Sequence, residues 1–87
     1  METRIGKVTH FYNHINVAVI SLADELKVGD QICIVGRVTD FEQPVGSMEI
    51  DHRKVQRASA GMIVAVKVIE PVRSGDEVFR LLSPQNG

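Results

Sequence analysis

The chain has 87 residues, of which 44% are hydrophobic and 24% charged, and its formal net charge is −1. A chain of this length forms one small domain that buries about 60–65% of the surface exposed on unfolding. The charged residues, 10 basic and 11 acidic, leave no overall basic excess. This argues against a tight DNA or RNA binder, because such binding depends on neutralising phosphates. One cysteine, Cys33, excludes an internal disulfide and fits a reducing compartment.

The sequence gives no sign of export or of a membrane segment. The N-terminal residues, METR, are polar and lack the apolar core of a secretory signal peptide. The longest unbroken apolar stretch, residues 62–66, is far too short to span a membrane. The sequence therefore predicts a cytoplasmic protein with no membrane partner, and no feature of it indicates an oligomeric state.

Valine and isoleucine recur along the whole chain, and no segment shows helical periodicity. Asn13 and His14 are predicted to form the first tight turn, because asparagine tolerates a positive φ. Pro44 and Gly46 interrupt the fourth strand, since proline cannot donate to a ladder. The pattern predicts six strands, over residues 4–12, 15–22, 31–35, 38–50, 62–68 and 78–82. Many short strands joined by glycine turns indicate a small closed barrel or a sandwich.

Two stretches of the chain echo each other, LKVGD at residues 26–30 and VRSGD at residues 72–76. Each contains a basic residue, then Gly-Asp, and each leads into a β-rich run. We interpret both as tight turns in which Gly29 and Gly75 have a positive φ.

No constellation of side chains in the sequence predicts catalysis, a cofactor or a metal. The Gly6–Lys7 pair lacks the other residues of a phosphate-binding loop. His10 and His14 are four residues apart in a strand region, about 13 Å, which is too far to share one metal. Cys33 has no basic neighbour that would lower its pKa. An enzyme or metal protein that uses Cys33 and the histidines remains an alternative.

The densest charge lies at residues 51–57, DHRKVQR. His52, Arg53, Lys54 and Arg57 therefore form the candidate contact surface. The alternative interpretation is an ordinary solvated loop between strands. The chain has few aromatic residues, whereas single-strand binders interleave aromatic and basic side chains as stacking platforms.

Four stretches in order along the chain resemble motifs in domain 2 of translation factors of the elongation factor Tu type. They are VGDQICIVG, VGSMEI, ASAGMIVAVKV and RSGDEVF, and the resemblance covers about residues 15–81. It implies an all-β fold, a small six-stranded closed β-barrel over residues 1–82, present as a stand-alone unit. The remaining residues, 83–87, are predicted to form a disordered tail.

In that family the barrel helps to hold the aminoacyl end of tRNA or touches the small ribosomal subunit. The resemblance places Glu49 at the glutamate that packs against the terminal adenosine, and His52 and Arg53 at the basic pair that follows. The sequence departs from the family pattern at Asn16 and Ala65, which replace glycines, and at Met62, which replaces an acidic residue.

The resemblance implies a non-catalytic, translation-factor-like binding module that uses no nucleotide. It would contact RNA (tRNA or the ribosome) or a protein partner through Glu49, His52, Arg53, Lys54 and Arg57. The alternative is an accessory β-barrel that docks on a separate enzyme, such as a collagenase-like peptidase, without RNA contact. Near-neutral charge favours this alternative. An exposed apolar patch would support it, whereas a contiguous positive face would support the first hypothesis.

Overall fold

The structure is a computed structural model that describes residues 2–81, so the predicted tail, residues 83–87, lies outside the described residues. This part of the chain consists of strands and turns, and the fold is all-β, as the sequence predicted. It contains no helix of the length and hydropathy that a membrane crossing requires. The strands are β1 (Glu2–Tyr12), β2 (Val17–Leu22), β3 (Leu26–Lys27), β4 (Gln31–Val35), β5 (Asp40–Pro44), β6 (Met48–Ile50), β7 (Arg53–Val55), β8 (Arg57–Ala58), β9 (Ile63–Lys67) and β10 (Glu77–Leu81).

Eight of these strands form one antiparallel sheet in the order β5-β4-β10-β1-β2-β9-β6-β7, and β3 pairs with β8. The backbone ladder within residues 2–81 therefore has two ends, β5 and β7, and does not form the closed six-stranded ring that the sequence predicted. At the β5 end, the Gln43 side chain reaches the end of β9. Its Nε2 donates to the carbonyl of Lys67 at 2.8 Å, and its Oε1 accepts from the amide of Ile69 at 2.8 Å.

The core forms because the strands alternate buried and outward-facing side chains. In β2, Ala18 and Ile20 are fully buried, whereas Val17 and Val19 are half-buried and Ser21 is exposed. Full burial of one branched aliphatic side chain stabilises the fold by about 1.5–3 kcal/mol. The largest fully buried side chains are Ile5, Val8, Ile20, Leu26, Ile32, Ile34, Val45, Met48, Val64, Val66 and Val78.

The two echoed turns have the predicted conformation. Gly29 and Gly75 both have φ of 99°, which only glycine adopts without strain. In each turn the aspartate amide donates to the carbonyl three residues earlier, Lys27 or Arg73, at 3.0 Å. The aspartate carboxylate in turn accepts from the amide of that same residue at 2.9 Å. The prediction of tight glycine turns is confirmed.

A third turn of the same kind, whose likeness to the two echoed turns the sequence did not indicate, lies at Ser59–Met62. Gly61 has φ of 90°, and the Met62 amide donates to the Ser59 carbonyl at 3.1 Å. Met62 occupies the position of the aspartate, and its Sδ accepts from the Ser59 amide at 3.4 Å. The glycine was the available signal, but a methionine in place of the aspartate concealed the likeness.

Each of these three turns holds a buried residue of another segment by two backbone hydrogen bonds. The glycine amide donates to that residue's carbonyl, and that residue's amide donates back to the carbonyl after the glycine. The residues held in this way are Val45 by Gly29–Asp30, Val8 by Gly75–Asp76 and Leu22 by Gly61–Met62, with distances of 2.7–2.9 Å. The turns therefore extend the backbone pairing beyond the strands.

The interruption predicted at Pro44 and Gly46 within residues 38–50 is confirmed. The chain leaves the ladder after Pro44, which divides this stretch into β5 and β6. The stretch interpreted as a loop at residues 51–57 contains β7 and β8, because a two-residue turn at Asp51–His52 reverses the chain. The first turn also shifts: Asn16, with φ of 57°, takes the positive φ expected near Asn13.

Candidate docking surface

The structure brings together four of the five predicted contact residues on the hairpin of β6 and β7. Glu49 pairs directly with Lys54 across the hairpin, and Arg53 pairs with Ile50. Pairs across a ladder share one face of the sheet. Arg53 therefore lies on the face opposite to Glu49 and Lys54, while His52 lies at the tip.

Arg57 is separated from this group. It belongs to β8, and its Nη2 forms an ion pair with Oε2 of Glu25 at 3.0 Å. The predicted basic residues thus point in different directions, and one of them is paired with an acid. A single contiguous positive face, the feature that would support RNA binding, is not formed by these residues.

The tip of this hairpin is conformationally strained. Asp51 and His52 have φ of 51° and 65°, and a turn with two positive φ values joins β6 to β7. Such turns strongly favour Asn-Gly, because a side chain in this region costs about 1 kcal/mol or more. Aspartate suits the first position of such a turn, but histidine replaces the usual glycine at the second, so the sequence carries a weaker turn signal than Asn-Gly or Asp-Gly.

Replacing Asp51 with asparagine and His52 with glycine should stabilise the fold by about 1 kcal/mol, because Asn-Gly adopts both positive φ values with least strain. Urea unfolding of the Asp51→Asn/His52→Gly variant measures the change. A matched control is Gln56→Gly, an exposed position without a positive φ, where added backbone entropy should lower stability. If the double variant is no more stable than the natural chain, the turn is not strained.

Beside this hairpin lies a sheet surface made of apolar side chains that face away from the core. The register places Val19 between His10 of β1 and Ala65 of β9, and Ala65 next to Glu49 of β6. Tyr12 and Ile63 are 51% and 58% exposed, and the other apolar members are half-buried. We call this surface the apolar sheet face; its members are Tyr12, Val17, Val19, Ile63 and Ala65.

Polar side chains frame the apolar sheet face. Glu49 lies beside Ala65 and pairs with Lys54, and Lys67 lies beside Val17. At the β1 side, the His10 ring packs edge-on against Tyr12 with 4.4 Å between ring centroids. An apolar centre with a polar rim is the usual arrangement of a protein–protein contact surface. Sequence reasoning missed its apolar part, since outward and inward valines look alike in a strand such as VAVI.

The described residues do not assemble a metal or nucleophile site. Within residues 2–81, no group of three His, Cys, Asp or Glu side chains lies close enough to hold a metal ion. Burial, and then the charges of Asp40, Glu42 and Glu2, raise the pKa of the Cys33 thiol. A raised pKa favours the neutral thiol, which is the unreactive form.

Comparisons with known proteins connect the chain to peptidases. No protein-family model matches. The chain is 45% identical over 81 residues to an uncharacterized protease of Methanocaldococcus jannaschii, a match that covers 92% of this chain and 20% of that protein. It is 30% identical over 81 residues to a collagenase of Porphyromonas gingivalis, covering 91% of this chain and 22% of the collagenase. The chain thus spans about a fifth of the length of the curated relatives it matches.

A solved structure has the same fold. The C-terminal domain of a putative U32 peptidase of Geobacillus thermoleovorans matches with a TM-score of 0.85 at 17% identity, covering 91% of this chain and 92% of that domain. The selenomethionine variant of that domain matches with a TM-score of 0.83. At this identity the match concerns the fold alone.

These comparisons overturn the resemblance to domain 2 of elongation factor Tu type translation factors, and the translation-factor assignment is wrong. The relatives are a protease and collagenases, and the matching structure is the C-terminal domain of a putative peptidase. The motifs misled because they consist largely of turn glycines and valines. Gly29, Gly61 and Gly75 serve the three backbone turns, so the motifs describe turn geometry rather than activity. RNA contact has no support among the relatives.

Proposed function

We propose that the chain is a non-catalytic accessory domain that docks on a U32-peptidase-like, collagenase-like catalytic part through the apolar sheet face. The observation that carries this proposal is the 45% identity to a protease of which the chain matches only 20%. Most of that protease lies outside the matched region, and its catalytic residues are expected there. The near-complete match to an isolated C-terminal domain of a putative U32 peptidase supports the same proposal.

The raised pKa of Cys33 supports a role without catalysis, because the neutral thiol of a buried cysteine is a poor nucleophile. The single-domain organisation over residues 1–82 and the cytoplasmic location stay predictions of the sequence. The alternative of a small enzyme or metal protein that uses Cys33 and the histidines gains no support from the protease relative, which is about five times longer than the matched region.

The apolar sheet face suits docking because its exposed members can be buried without disturbing the core. Burial of apolar surface contributes about 25 cal/mol per Å², and an exposed aromatic residue such as Tyr12 commonly dominates an interface. Glu49 and Lys54 lie at the rim, where charge sets the orientation of the partner more than the affinity. We therefore place Glu49, Lys54 and the hairpin tip with His52 and Arg53 at the border of the interface, and Arg57 outside it.

We also propose that six strands, β5, β4, β10, β1, β2 and β9, wrap into a barrel whose last seam is closed by a side chain. Gln43 supports this proposal, since its two hydrogen bonds join β5 to Lys67 and Ile69 at the end of β9. Closure would protect the β5 edge, where Pro44 already interrupts the ladder. It would also give the apolar sheet face a rigid support.

Replacing Ile63 with aspartate should weaken docking at least about tenfold, because it introduces a charge on the apolar sheet face, two residues from Ala65 on the same face of β9. The partner to use is the M. jannaschii protease without the matched region, and calorimetry measures binding to the natural chain and to Ile63→Asp. Ile63 is 58% exposed, so the variant is expected to fold.

The matched control is Val38→Asp, which charges an equally branched residue that is 69% exposed on the β4–β5 turn. It should bind like the natural chain. Absence of binding by the natural chain would contradict the accessory function. Equal binding by Ile63→Asp would contradict the choice of the apolar sheet face.

A further inference from the structure

A second surface, separate from the apolar sheet face, is an open groove of about 810 Å³ between two turns. One wall is the β4–β5 turn and the other is the Arg73–Asp76 turn that leads into β10. Val35, Val38 and Phe79 give the groove an apolar lining, and Val38 is the most exposed of them. Arg37 and Arg73 belong to opposite walls, so we call this surface the two-arginine groove.

The exposed charges of the two-arginine groove that lack an ion-pair partner among the described residues are positive. The carboxylate of Asp76 is buried and accepts from the backbone amide of Arg73 at 2.9 Å. Glu77 accepts from Nε of Arg4 at 2.9 Å. Both acidic side chains of the lining therefore already have hydrogen-bond partners within the domain. By contrast, neither Arg37 nor Arg73 forms an ion pair with a carboxylate in the part of the chain that the structure describes.

This combination selects a ligand that has both carboxylates and apolar side chains. Arginine binds carboxylates through paired hydrogen bonds of fixed geometry. The shape is an open groove rather than an enclosed pocket, which suits an extended segment. Nucleic acid is a poorer fit, because two arginines and one half-buried aromatic residue, Phe79, offer neither a basic track nor stacking platforms.

We propose that the two-arginine groove binds an extended acidic peptide segment, with its carboxylates on Arg37 and Arg73 and an apolar side chain against Val38. The binding would be independent of the apolar sheet face, whose residues belong to β1, β2 and β9. The site goes beyond docking on a peptidase, because it lets the domain hold a second polypeptide segment at the same time.

The test uses fluorescence anisotropy with a labelled peptide, Glu-Val-Asp-Leu-Glu, and the same peptide with glutamine and asparagine in place of the acids. The acidic peptide should bind the natural chain, and the neutral peptide should bind at least about tenfold more weakly. Added salt should weaken the acidic complex. A labelled single-stranded oligouridylate tests the nucleic-acid alternative.

Arg37→Glu/Arg73→Glu should weaken binding of the acidic peptide at least about tenfold. The matched control is Lys27→Glu/Arg57→Glu, which makes the same charge change on the β3–β8 pair, outside both surfaces, and should bind like the natural chain. If the first variant fails to fold, Arg37→Gln/Arg73→Gln replaces it with the same expectation. Equal affinity for both peptides, full binding by the groove variant, preference for the oligouridylate, or no peptide binding would each overturn the proposal.

Discussion

Replacing Gln43 with glutamate should lower the free energy of unfolding by about 3 kcal/mol at neutral pH, because it removes a buried donor and adds a buried charge. Gln43 is 4% exposed. Its Nε2 donates to the carbonyl of Lys67 at 2.8 Å and contacts that of Pro44 at 3.3 Å. A carboxylate at this position would place an oxygen, which cannot donate, against the carbonyl oxygens of Lys67 and Pro44. The hydrogen bond from the Ile69 amide to the other carboxylate oxygen would remain.

The expected loss depends on pH in a defined direction. Burial favours the neutral form of a glutamic acid, and the neutral form keeps one O–H that can donate to the Lys67 carbonyl. The variant's folded-state pKa is therefore raised above the unfolded value of about 4.3. The penalty is small below the unfolded value and grows as the pH rises above it.

Urea unfolding at several pH values measures this prediction. Gln43→Met, which keeps the length but makes no hydrogen bond, should also destabilise, without the same pH dependence. Glu42→Gln, on the exposed side of β5, is the matched control and should change stability little. A loss below about 1 kcal/mol for Gln43→Glu would contradict the proposal that Gln43 closes the seam between β5 and β9.

The parts of the fold that the sequence predicted are those governed by local rules. β4 lies at the predicted residues 31–35, because ICIV is bounded by turn residues on both sides. Gly29 and Gly75 are correctly predicted as turns, since a positive φ has few other solutions. The two turns also show that the echo in the sequence has a structural basis.

The parts that the sequence did not predict depend on distant contacts. Gln43 contacts residues 24 and 26 positions away, and no property of FEQP indicates that partner. The turn at Asp51–His52 is set by the pairing of β6 with β7 and with β9, and histidine stands where most such turns have glycine. Periodicity could not separate the two faces of β2, because valine occupies the outward positions.

The candidate site residues show the same contrast between local signals, which the sequence contains, and distant contacts, which it does not reveal. Glu49 and Lys54 were singled out by charge and by a resemblance, and the structure places both at the rim of the apolar sheet face. The resemblance itself pointed to the wrong proteins, because glycine turns recur wherever short strands must be joined. Arg57 was included for its charge alone, and only the structure reveals its pairing with Glu25.

Gly36 is expected to be difficult to replace, for reasons of space rather than backbone conformation. A Cβ at this position would lie 1.9 Å from Oδ1 and 2.6 Å from Cγ of Asp76. That carboxylate is buried and holds the turn at Arg73, so it cannot move away cheaply. Gly36→Ala should therefore destabilise the fold by about 3 kcal/mol, which combines overpacking with a lost charge-assisted hydrogen bond.

A double-mutant cycle identifies the cause of this loss. Asp76→Ala alone should also destabilise, but it removes the carboxylate that an alanine at position 36 would meet. The cost of Gly36→Ala in the Asp76→Ala background should then fall below about 1 kcal/mol. Gly46→Ala is the matched control, because its Cβ would meet open space and its φ is not positive, and it should be neutral or slightly stabilising. An equal cost of Gly36→Ala in both backgrounds would show that the carboxylate is not what excludes a side chain at position 36.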